Sequence, residues 1–429
     1  DPAGIAITGI NTTNGTLYFS TNGGTTWTAA GAVSDSSARV LKADASTYVY
    51  FQPNTGYSGS MTDAITLKAW DNTGGFANGQ GGVNTQWPIP KGSYDTTGRA
   101  ESVAISGTYA YVAGAHGGLQ IIDISNLASP IQVGASAPGS KANDVAVRGN
   151  FAYVAASDTG LRIYDISTPS TPLVVSDLAT GIDAGAIALS GNYAYVCDWS
   201  GGLRIIDIST PSAPVLSSAT SIPGRGWDIQ VSGSYAYVGT SGGLQIFNIS
   251  NPAAPVLAGT YDLGDVPLGV AISGNHAYLA KNSNGVQIVD ISNPTSPTLL
   301  GTYDTPGDAL KVSVSGKHAF VADSVAGMQV LDISNPASPV LVGNFQNNAS
   351  FYEGVTSLGV TASGGHVYFA NSTVDLHVLE LAGPSFSEAS DTVSLTVANA
   401  APTLTGLPVT PHTVSPGVQA ALENFTVAD

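Results

Sequence analysis

Residues 235–259 read YAYVGTSGGLQIFNISNPAAPVLAG, and this pattern recurs along most of the chain. Its general form is Tyr-Ala-Tyr-Val, a short loop, Gly-Leu-Gln-Ile-Ile-Asp-Ile-Ser, and then Asn-Pro-x-x-Pro-Val-Leu-x-Gly. In six copies, here called repeats 1–6, the Asp-Ile-Ser position is occupied by Asp123, Asp165, Asp207, Asn248, Asp290 and Asp332. A divergent repeat 7 ends in Leu376–Leu381. Because the first six copies follow one another at 41 or 42 residues, the sequence predicts an array of structural repeats.

Each repeat predicts four short β-strands. In repeat 5 they are Val270–Ser273, His276–Ala280, Val286–Ile291 and Thr298–Tyr303, in which apolar residues alternate or run in short blocks. The Ser-Gly-Asn step between the first two strands is typical of a tight hairpin turn, and the Asn-Pro-x-x-Pro segment cannot continue a strand. Four strands within one repeat of this length indicate a blade of a β-propeller.

The number of blades follows from the spacing. The 294 residues from 88 to 381 correspond to seven repeats of 42 residues. Residues 88–95, PIPKGSYD, are similar to residues 297–304, PTLLGTYD, at the fourth strand of repeat 5, whereas repeat 7 stops after its third strand. We therefore expect residues 88–95 to complete the seventh blade, which closes the ring and removes exposed sheet edges.

The Val-Ile-Asp-like strand and the Tyr-Ala-Tyr-Val hairpin resemble the LVIVD-repeat family of bacterial surface proteins. The resemblance extends over residues 88–381. It implies a propeller and brings no enzymatic residues with it.

The flanking segments differ from the repeats. Residues 15–20, 47–54 and 64–71 are sandwich-like strands, and the first segment ends in the Gly- and Asn-rich stretch 72–86 without a final strand. Residues 387–397, after the repeats, supply a strand of that kind. We therefore predict an all-β chain in which a seven-bladed propeller, residues 88–381, is inserted into a β-sandwich formed by residues 1–87 and 382–400.

The Ala-Trp-Asp strand at residues 69–71 and the Ser-Asp-Thr-x-x-Leu-x-Val strand at 390–397 resemble the cadherin-like repeats of large bacterial adhesins. In that family a Gly-rich loop joins these two strands directly. Residues 401–429 resemble the opening of a further repeat, and they either begin the next sandwich or add a strand to this one. The resemblance implies calcium as a cofactor, for which Asp1, Asp71 and Asp391 are the candidate ligands, because calcium prefers oxygen ligands.

The charge of the chain limits its partners. The sequence has 13 Lys and Arg against 30 Asp and Glu, a net charge of −17. A nucleic-acid partner is therefore not expected, since such proteins need a basic surface. No apolar stretch is long enough for a membrane helix, so membrane insertion is not expected either. The single cysteine, Cys197, leaves no internal disulfide framework. We expect an extracellular location, secreted or at the cell surface.

Two recurring features have a structural explanation. The Asp of each Asp-Ile-Ser segment could form a ring of carboxylates, but its position before a Pro-containing turn favours a turn-capping role. Residues 20–27, STNGGTTW, resemble the Asp-box of sialidases with Asn in place of Asp. Because Asn-Gly is a strong hairpin signal, we interpret this segment as a structural turn.

Candidate binding residues come from the loops where the repeats diverge. In a propeller the loops between the fourth and first strands and between the second and third strands lie on one face. Charged and aromatic residues are scarce in this chain and cluster in these loops, and function often resides on loops carried by a rigid scaffold. The predicted ligand-binding residues are His116, Lys141, Asp144, Asp158, Asp198, Trp199, Arg225, Trp227, Asp228, Lys281, Asp323, Tyr352 and Glu353. Arg99, Glu101 and Asp183 belong to the same loops.

These observations favour binding over catalysis. No motif links a Ser or Cys nucleophile to a base, and His276, His318 and His366 fall at the first position of second strands. We predict a non-enzymatic adhesin module whose propeller binds a cell-surface carbohydrate or a protein ligand, next to adjacent repeats of the same chain. The alternatives are a structural spacer and a propeller hydrolase or lyase that acts on polysaccharide.

Overall fold

The computed structural model describes residues 4–35, 37–70, 76–81, 87–115, 117–136, 141–157, 159–180, 183–199, 202–345, 359–370, 375–381, 391–397 and 419–421. These residues are all-β: they contain 36 strands, one 3-10 turn at Ser324–Ala326, and no α-helix. Within the described ranges, no helix has the length and hydropathy needed to cross a membrane.

The strands are numbered in chain order. Strands β1–β7 are Gly4–Ile10, Gly15–Ser20, Thr28–Ala29, Arg39–Lys42, Tyr48–Pro53, Gly59–Trp70 and Ile89–Asp95. Strands β8–β15 are Ala100–Ser106, Tyr109–Gly114, Gly118–Asp123, Ile131–Ala135, Ala142–Arg148, Phe151–Ala156, Gly160–Asp165 and Leu173–Leu178. Strands β16–β23 are Ala184–Ser190, Tyr193–Asp198, Gly202–Asp207, Val215–Ser221, Gly226–Ser232, Tyr235–Thr240, Gly243–Asn248 and Val256–Tyr261. Strands β24–β31 are Gly269–Ser273, His276–Ala280, Val286–Asp290, Thr298–Tyr303, Lys311–Ser315, His318–Ala322, Met328–Asp332 and Val340–Phe345. Strands β32–β36 are Gly359–Ser363, His366–Ala370, Asp375–Glu380, Asp391–Val397 and Gln419–Ala421.

The chain divides into two compact units. The first comprises residues 1–89 and 382–429, and the second comprises residues 90–381. The first unit has two four-stranded sheets, with strand orders β35-β6-β1-β4 and β3-β2-β5-β36. Apolar residues from both sheets, among them Ile7, Phe51 and Leu67, form one buried core. Strand β35 pairs with β6 although some 320 residues separate them in the chain, and β36 pairs with β5.

The second unit contains seven four-stranded sheets, one for each repeat. The first strands of neighbouring repeats contact each other from β8 through to β32, and β32 contacts β8. Buried clusters lie between adjacent sheets. One of them joins repeat 1 to repeat 7 through Val103, Val112, Tyr368 and Val378. The first strands therefore form a closed circle.

The fourth strand of the last sheet comes from the start of the unit. Its order is β32-β33-β34-β7, so the predicted role of residues 88–95 as the fourth strand of repeat 7 is confirmed. An ion pair between Lys91 Nζ and Glu380 Oε2, 2.5 Å long, links β7 to β34. The two ends of the second unit are thus held together by one sheet.

The repeated motif is explained by contacts between repeats. In the Tyr-Ala-Tyr-Val strand of repeat 2, Ala152 and Val154 pack toward repeat 1, while Tyr153 and Ala155 pack toward repeat 3. In repeats 1, 4 and 5 the glycine of the fourth strand lies against the Pro turn of the next repeat: a Cβ on Gly134 would lie 2.0 Å from the carbonyl oxygen of Pro169. Both faces of each sheet are therefore buried, as a stack of sheets requires.

The Asp-Ile-Ser segments cap turns, as predicted. Asp123 Oδ1 accepts a hydrogen bond of 2.8 Å from the backbone N–H of Ser125. Equivalent bonds from Ser to Asp or Asn recur in repeats 2–6. The hydroxyl and the N–H of Ser125 hold the pKa of Asp123 below its usual value. Because Asn248 makes the same bond without a charge, the hydrogen bond is what the position requires.

Candidate functional site

Repeats 1–4 share three equivalent positions at the ends of their first and second strands. Each position recurs 42 residues further along the chain in the next repeat. The upstream position, just before the first strand, holds Arg99, Lys141, Asp183 and Arg225. The downstream position, just after the second strand, holds Ala115, Ser157, Trp199 and Ser241. In each repeat the downstream N–H donates a hydrogen bond of 2.9–3.1 Å to the upstream carbonyl oxygen. The two positions are thus held side by side while their side chains vary.

A third position is created by a β-bulge. The pairing of first and second strands shifts by one residue in repeats 1–4, between Ala142 and Asp144 in repeat 2, for example. The bulge position holds Glu101, Asn143, Gly185 and Trp227. A bulge leaves one residue unpaired and redirects its side chain, and bulges are common next to functional sites.

These three positions form a pocket of about 440 Å³ in repeats 1–3. The lining residues are Arg99, Glu101, Ala115, Lys141, Asn143, Ser157, Asp183 and Trp199. Every one of them occupies an upstream, bulge or downstream position. The volume lies within the range of about 300–1,000 Å³ typical of small-molecule sites. Trp199 forms an aromatic wall, Ala115 is apolar, and the other six lining residues are charged or polar.

Several polar side chains in the pocket are held by defined partners. The Arg99 guanidinium pairs with the largely buried Glu101 carboxylate, and Arg99 Nε donates a 2.6 Å hydrogen bond to Glu101 Oε1. Asn143 Nδ2 donates to Ser157 Oγ at 2.8 Å and to the carbonyl oxygen of Ala184 at 2.7 Å. This part of the pocket is therefore held in place by contacts within the protein itself.

Asp183 has an unusual backbone conformation. Its φ is +48°, in the left-handed region that non-glycine residues rarely adopt. Its N–H donates to the carbonyl oxygen of Ser157, and its own carbonyl oxygen accepts from Trp199. Backbone strain of this kind is concentrated at functional sites.

The aromatic wall extends into repeat 4. The rings of Trp199 and Trp227 are 6.5 Å apart between centroids, and the Arg225 guanidinium lies 5.8 Å from the first and 5.6 Å from the second. Gly185 makes room for the edge of Trp199, because a Cβ there would lie 2.3 Å from the indole Nε1. The structure thus brings together four of the predicted residues, Lys141, Trp199, Arg225 and Trp227, at or beside one pocket.

Asp144 and Asp228 are not among the lining residues of the pocket. They hold the inner position of repeats 2 and 4, one residue after the bulge. Each accepts a 2.8 Å hydrogen bond from the first strand of the next repeat, through the N–H of Ile187 and Val270 respectively. Lys311 Nζ lies 3.1 Å from Asp228 Oδ1. Burial raises the pKa of Asp144. Burial lowers the pKa of Lys311, but Asp228 and Asp144 outweigh it and raise that pKa overall.

Asp198 and Asp323 are equivalent residues at the ends of second strands, and both are fully buried. Asp198 accepts from the N–H of Gly202 and forms an ion pair of 3.1 Å with Arg204. Asp323 accepts from the Thr305 hydroxyl at 2.5 Å and from the Gly307 N–H at 3.0 Å. Both carboxylates therefore shape their loops from within. Lys281, a further predicted residue, lies in repeat 5, where its carbonyl oxygen accepts from Asn284.

Several predicted residues lie outside the described part of the chain. These are His116, Asp158, Tyr352 and Glu353 among the binding candidates, and Asp1 and Asp71 among the calcium candidates. The strand that begins at Asp391 is described, but its side chain is not. In the described ranges, no group of three or more His, Cys, Asp or Glu residues could hold a metal ion.

Sequence reasoning missed some of the lining residues. Asn143 and Ser157 are polar but ordinary in type, and Ala115 carries no functional group. The signal that identifies them is their spacing, 42 residues from Glu101, Trp199 and Ser157 respectively. Comparing equivalent positions between repeats would have found them; choosing residues by charge and aromaticity did not.

Structural comparison identifies propeller-type neighbours. The computationally designed Ika8 protein superposes with a TM-score of 0.52 at 12% identity, over 69% of this chain and 99% of that one. The WD40 beta propeller domain of Doa1 superposes with a TM-score of 0.54 at 12% identity, over 70% of this chain and 97% of that one. A chain in a crystal structure of the Mitotic Checkpoint Complex gives 0.57 at 12% identity, over 68% and 92%. At such identities the likeness concerns the fold alone.

Sequence comparison gives the family. A search of curated proteins finds no match to this chain. The family model for the LVIVD repeat matches six segments, residues 97–136, 139–180, 181–220, 223–263, 268–305 and 306–347. Together they cover more than half of the chain. This protein of repeated four-stranded sheets is therefore of the propeller type, and it belongs to the LVIVD-repeat family.

Proposed function

We propose that the chain is a non-enzymatic extracellular binding module in which a seven-bladed β-propeller, inserted into a split cadherin-like β-sandwich, binds its ligand in the pocket of repeats 1–3. The single observation that carries the proposal is the composition of the pocket. All eight lining residues come from three equivalent positions, and their side chains change from repeat to repeat. Side chains that vary at fixed positions of a repeated framework are typical of a recognition site.

The seven-bladed architecture is supported by the closed circle of first strands. Seven sheets follow one another, β32 contacts β8, and a buried cluster joins repeats 1 and 7. The split sandwich is supported by the pairing of β35 with β6 across the inserted unit and by the core shared between two sheets. The pairing of β36 with β5 favours a strand added to the same sandwich by residues 401–429.

The chemistry of the pocket suits recognition better than hydrolysis. Of its two carboxylates, Glu101 is engaged by the Arg99 guanidinium, so it would have to leave that ion pair before it could act on a substrate. Trp199 offers a surface for stacking, and Asn143, Ser157 and Asp183 offer hydrogen-bonding groups. We therefore favour a cell-surface carbohydrate or a protein segment as the ligand, without turnover.

The acidic charge of −17 supports an extracellular location and does not fit nucleic acid as a partner. In this proposal the chain acts within a surface adhesin, beside adjacent repeats of the same protein. Calcium stays a candidate cofactor of the sandwich, through Asp1, Asp71 or Asp391.

The test is binding of the intact chain to glycan and peptide arrays, with calcium and then with a chelator. We expect a specific hit that Trp199→Ala weakens at least tenfold, because an aromatic anchor in a pocket contributes about 2 kcal/mol or more. Trp27→Ala is the matched control, since Trp27 is also half-buried but lies in the other unit. Equal binding by both variants would exclude the pocket, and blank arrays would favour the spacer alternative. Conversion of a bound polysaccharide would favour the hydrolase or lyase alternative.

A further inference from the structure

Cations are concentrated at the pocket although the chain is strongly acidic. The sequence has only 13 Lys and Arg against 30 Asp and Glu. Three of the 13 hold the upstream position in repeats 1, 2 and 4, as Arg99, Lys141 and Arg225. The fourth upstream residue is Asp183. The lining holds as many carboxylates as cations, since Glu101 and Asp183 balance Arg99 and Lys141. Arg225 beside it leaves one positive charge in excess, which in a protein of net charge −17 favours recognition of a negatively charged group.

Lys141 is the cation best placed for that role. Arg99 is paired with Glu101, and Arg225 lies over two indole rings. Lys141 is exposed and lines the pocket, and it forms no ion pair with any other residue that the structure describes. Its ammonium group can therefore meet an anionic ligand without first breaking another ion pair.

The remaining groups of the pocket fit a sugar ring. Trp199 is half-buried, with its edge at Gly185 and with Arg225 and Trp227 beside it, so its orientation is fixed. Sugars stack their apolar C–H faces on such rings, while carboxylates and amides bond their hydroxyl groups. Asp183 and Asn143 supply one carboxylate and one amide next to Trp199 in the same pocket.

We propose that this pocket selects an acidic saccharide, whose ring stacks on Trp199 and whose carboxylate pairs with Lys141. This inference rests on the proposed binding function and names the class of ligand. A free carboxylate on an acidic peptide would satisfy Lys141 as well, but it would leave the combination of Trp199, Asp183 and Asn143 without a purpose. The saccharide is thus the ligand that uses the whole pocket.

The experiment compares an anionic probe with its neutral methyl ester. Binding of trigalacturonate and of its fully methyl-esterified form is measured by calorimetry on the intact chain, with chelator present so that calcium cannot bridge the anion. We expect the acid to bind about tenfold more tightly than the ester, because a charge-assisted hydrogen bond contributes about 1.5 kcal/mol or more. We also expect this preference to decrease with salt, since the pair is exposed.

Three variants locate the effect. Lys141→Gln should reduce the affinity for the acid about tenfold and leave the ester unchanged, Lys141→Arg should retain the preference, and Trp199→Ala should weaken both probes. Lys317→Gln, an exposed lysine of repeat 6 outside the pocket, is the control and should behave as the wild type.

The outcomes separate this inference from the function on which it rests. If Lys141→Gln keeps the preference for the acid while Trp199→Ala loses binding, Lys141 does not select the charge of the ligand. The pocket is still the binding site in that case. If neither saccharide binds but an Asp- and Glu-rich peptide binds in a manner that depends on Lys141, the saccharide class is wrong. If Trp199→Ala has no effect on any probe, the proposed function fails as well.

Discussion

Repeats 1–4 and repeats 5–6 are built on the same motif, but the loops that join their strands differ. In repeats 1–4 the first strand carries a bulge. In repeats 5 and 6 the pairing begins without one, at Gly269 and Lys311. The residues that precede these two are Leu268 and Leu310, whose N–H groups donate directly to the second strand. The bulge in repeats 1–4 thus leaves one residue unpaired and redirects its side chain, whereas repeats 5 and 6 have an apolar leucine that bonds the second strand.

The loops of repeats 5 and 6 are also tied to each other. Asn282, just after the second strand of repeat 5, exchanges two hydrogen bonds with Ala309 of repeat 6. In repeats 1–4 each downstream N–H bonds the upstream position of its own repeat, and the carbonyl oxygen of Ser157 in repeat 2 also accepts from the N–H of Asp183 in repeat 3. One repeated motif can therefore form bulges and a pocket in one arc of the ring and direct strand pairing in another.

Repeats 1–4 and repeats 5–6 meet at the inner position. We expect substitutions there to have the largest effect on the free energy of unfolding. Lys311 of repeat 6 lies against the carboxylate of Asp228 in repeat 4 and is attracted by Asp144 in repeat 2. Lys311→Met would leave both carboxylates without their cation, and we expect the free energy of unfolding to fall by about 2–3 kcal/mol. That is less than the 3–5 kcal/mol or so for a fully buried pair, since about a quarter of the lysine side chain is exposed. Urea unfolding measures it.

Lys317→Met is the matched control for Lys311. Lys317 pairs with Asp332 at 3.4 Å, and 62% of its side chain is exposed, so its loss should change the free energy of unfolding by less than about 0.5 kcal/mol. Adding Asp228→Asn to Lys311→Met should recover part of the stability. If both lysine variants unfold alike, the inner charges do not couple the two regions.

Much of the fold could be predicted from the sequence. The period, the four strands of each repeat and the return of residues 88–95 to repeat 7 all follow from patterns of apolar and turn residues, because both faces of every sheet must be buried in the same way. The Asp of each Asp-Ile-Ser segment was also predictable, since capping is a local property of the chain.

The site was predictable only in part. Trp199 and Trp227 were found because charged and aromatic residues are scarce in the chain and cluster on these loops. Asp144 and Asp228 look like surface acids in the sequence, but they bond backbone N–H groups of the next repeat. These partners lie about 42 residues away in the sequence. The local sequence does not indicate the direction of a side chain that follows a bulge.

Asp198 in repeat 3 and Asp323 in repeat 6 are equivalent carboxylates with different partners, so their replacement should have opposite effects on stability. Asp198 pairs with Arg204, whereas the residue equivalent to Arg204 in repeat 6 is Gln329, which bonds the carbonyl oxygen of Ala326 instead. Burial raises the pKa of Asp323 to about 6, although the Thr305 and Gly307 hydrogen bonds oppose it. The folded state therefore holds the proton more tightly than the unfolded chain, so stability should fall as the pH rises from about 4 to about 6.

Asp323→Asn should remove that part of the pH dependence. Its amide can still accept from the Gly307 N–H and donate to the Thr305 hydroxyl, so we expect it to raise the free energy of unfolding at pH 7 by about 1–2 kcal/mol. Asp198→Asn, at the equivalent position, should lower that free energy because Arg204 loses its anion. Thermal unfolding between pH 4 and pH 7 distinguishes the signs. A destabilised Asp323→Asn with unchanged pH dependence would show that the carboxylate is well solvated.

A substitution at Gly185, the bulge position of repeat 3, tests the role of the bulge and is expected to have the smallest effect on stability. A Cβ there would lie 2.3 Å from Nε1 of Trp199, and the indole rather than the backbone must move, since a side chain yields more readily than a strand. Gly185→Ala should therefore shift Trp199 from Trp227 and alter their coupled near-ultraviolet circular dichroism, with a loss of stability of about 1 kcal/mol. Gly242→Ala in the loop of repeat 4 is the control, because a Cβ there would meet its neighbours at 3.6 Å, an ordinary contact. If Gly185→Ala leaves the tryptophan signal unchanged, the bulge does not fix the aromatic wall, and the difference between the two regions reduces to loop composition.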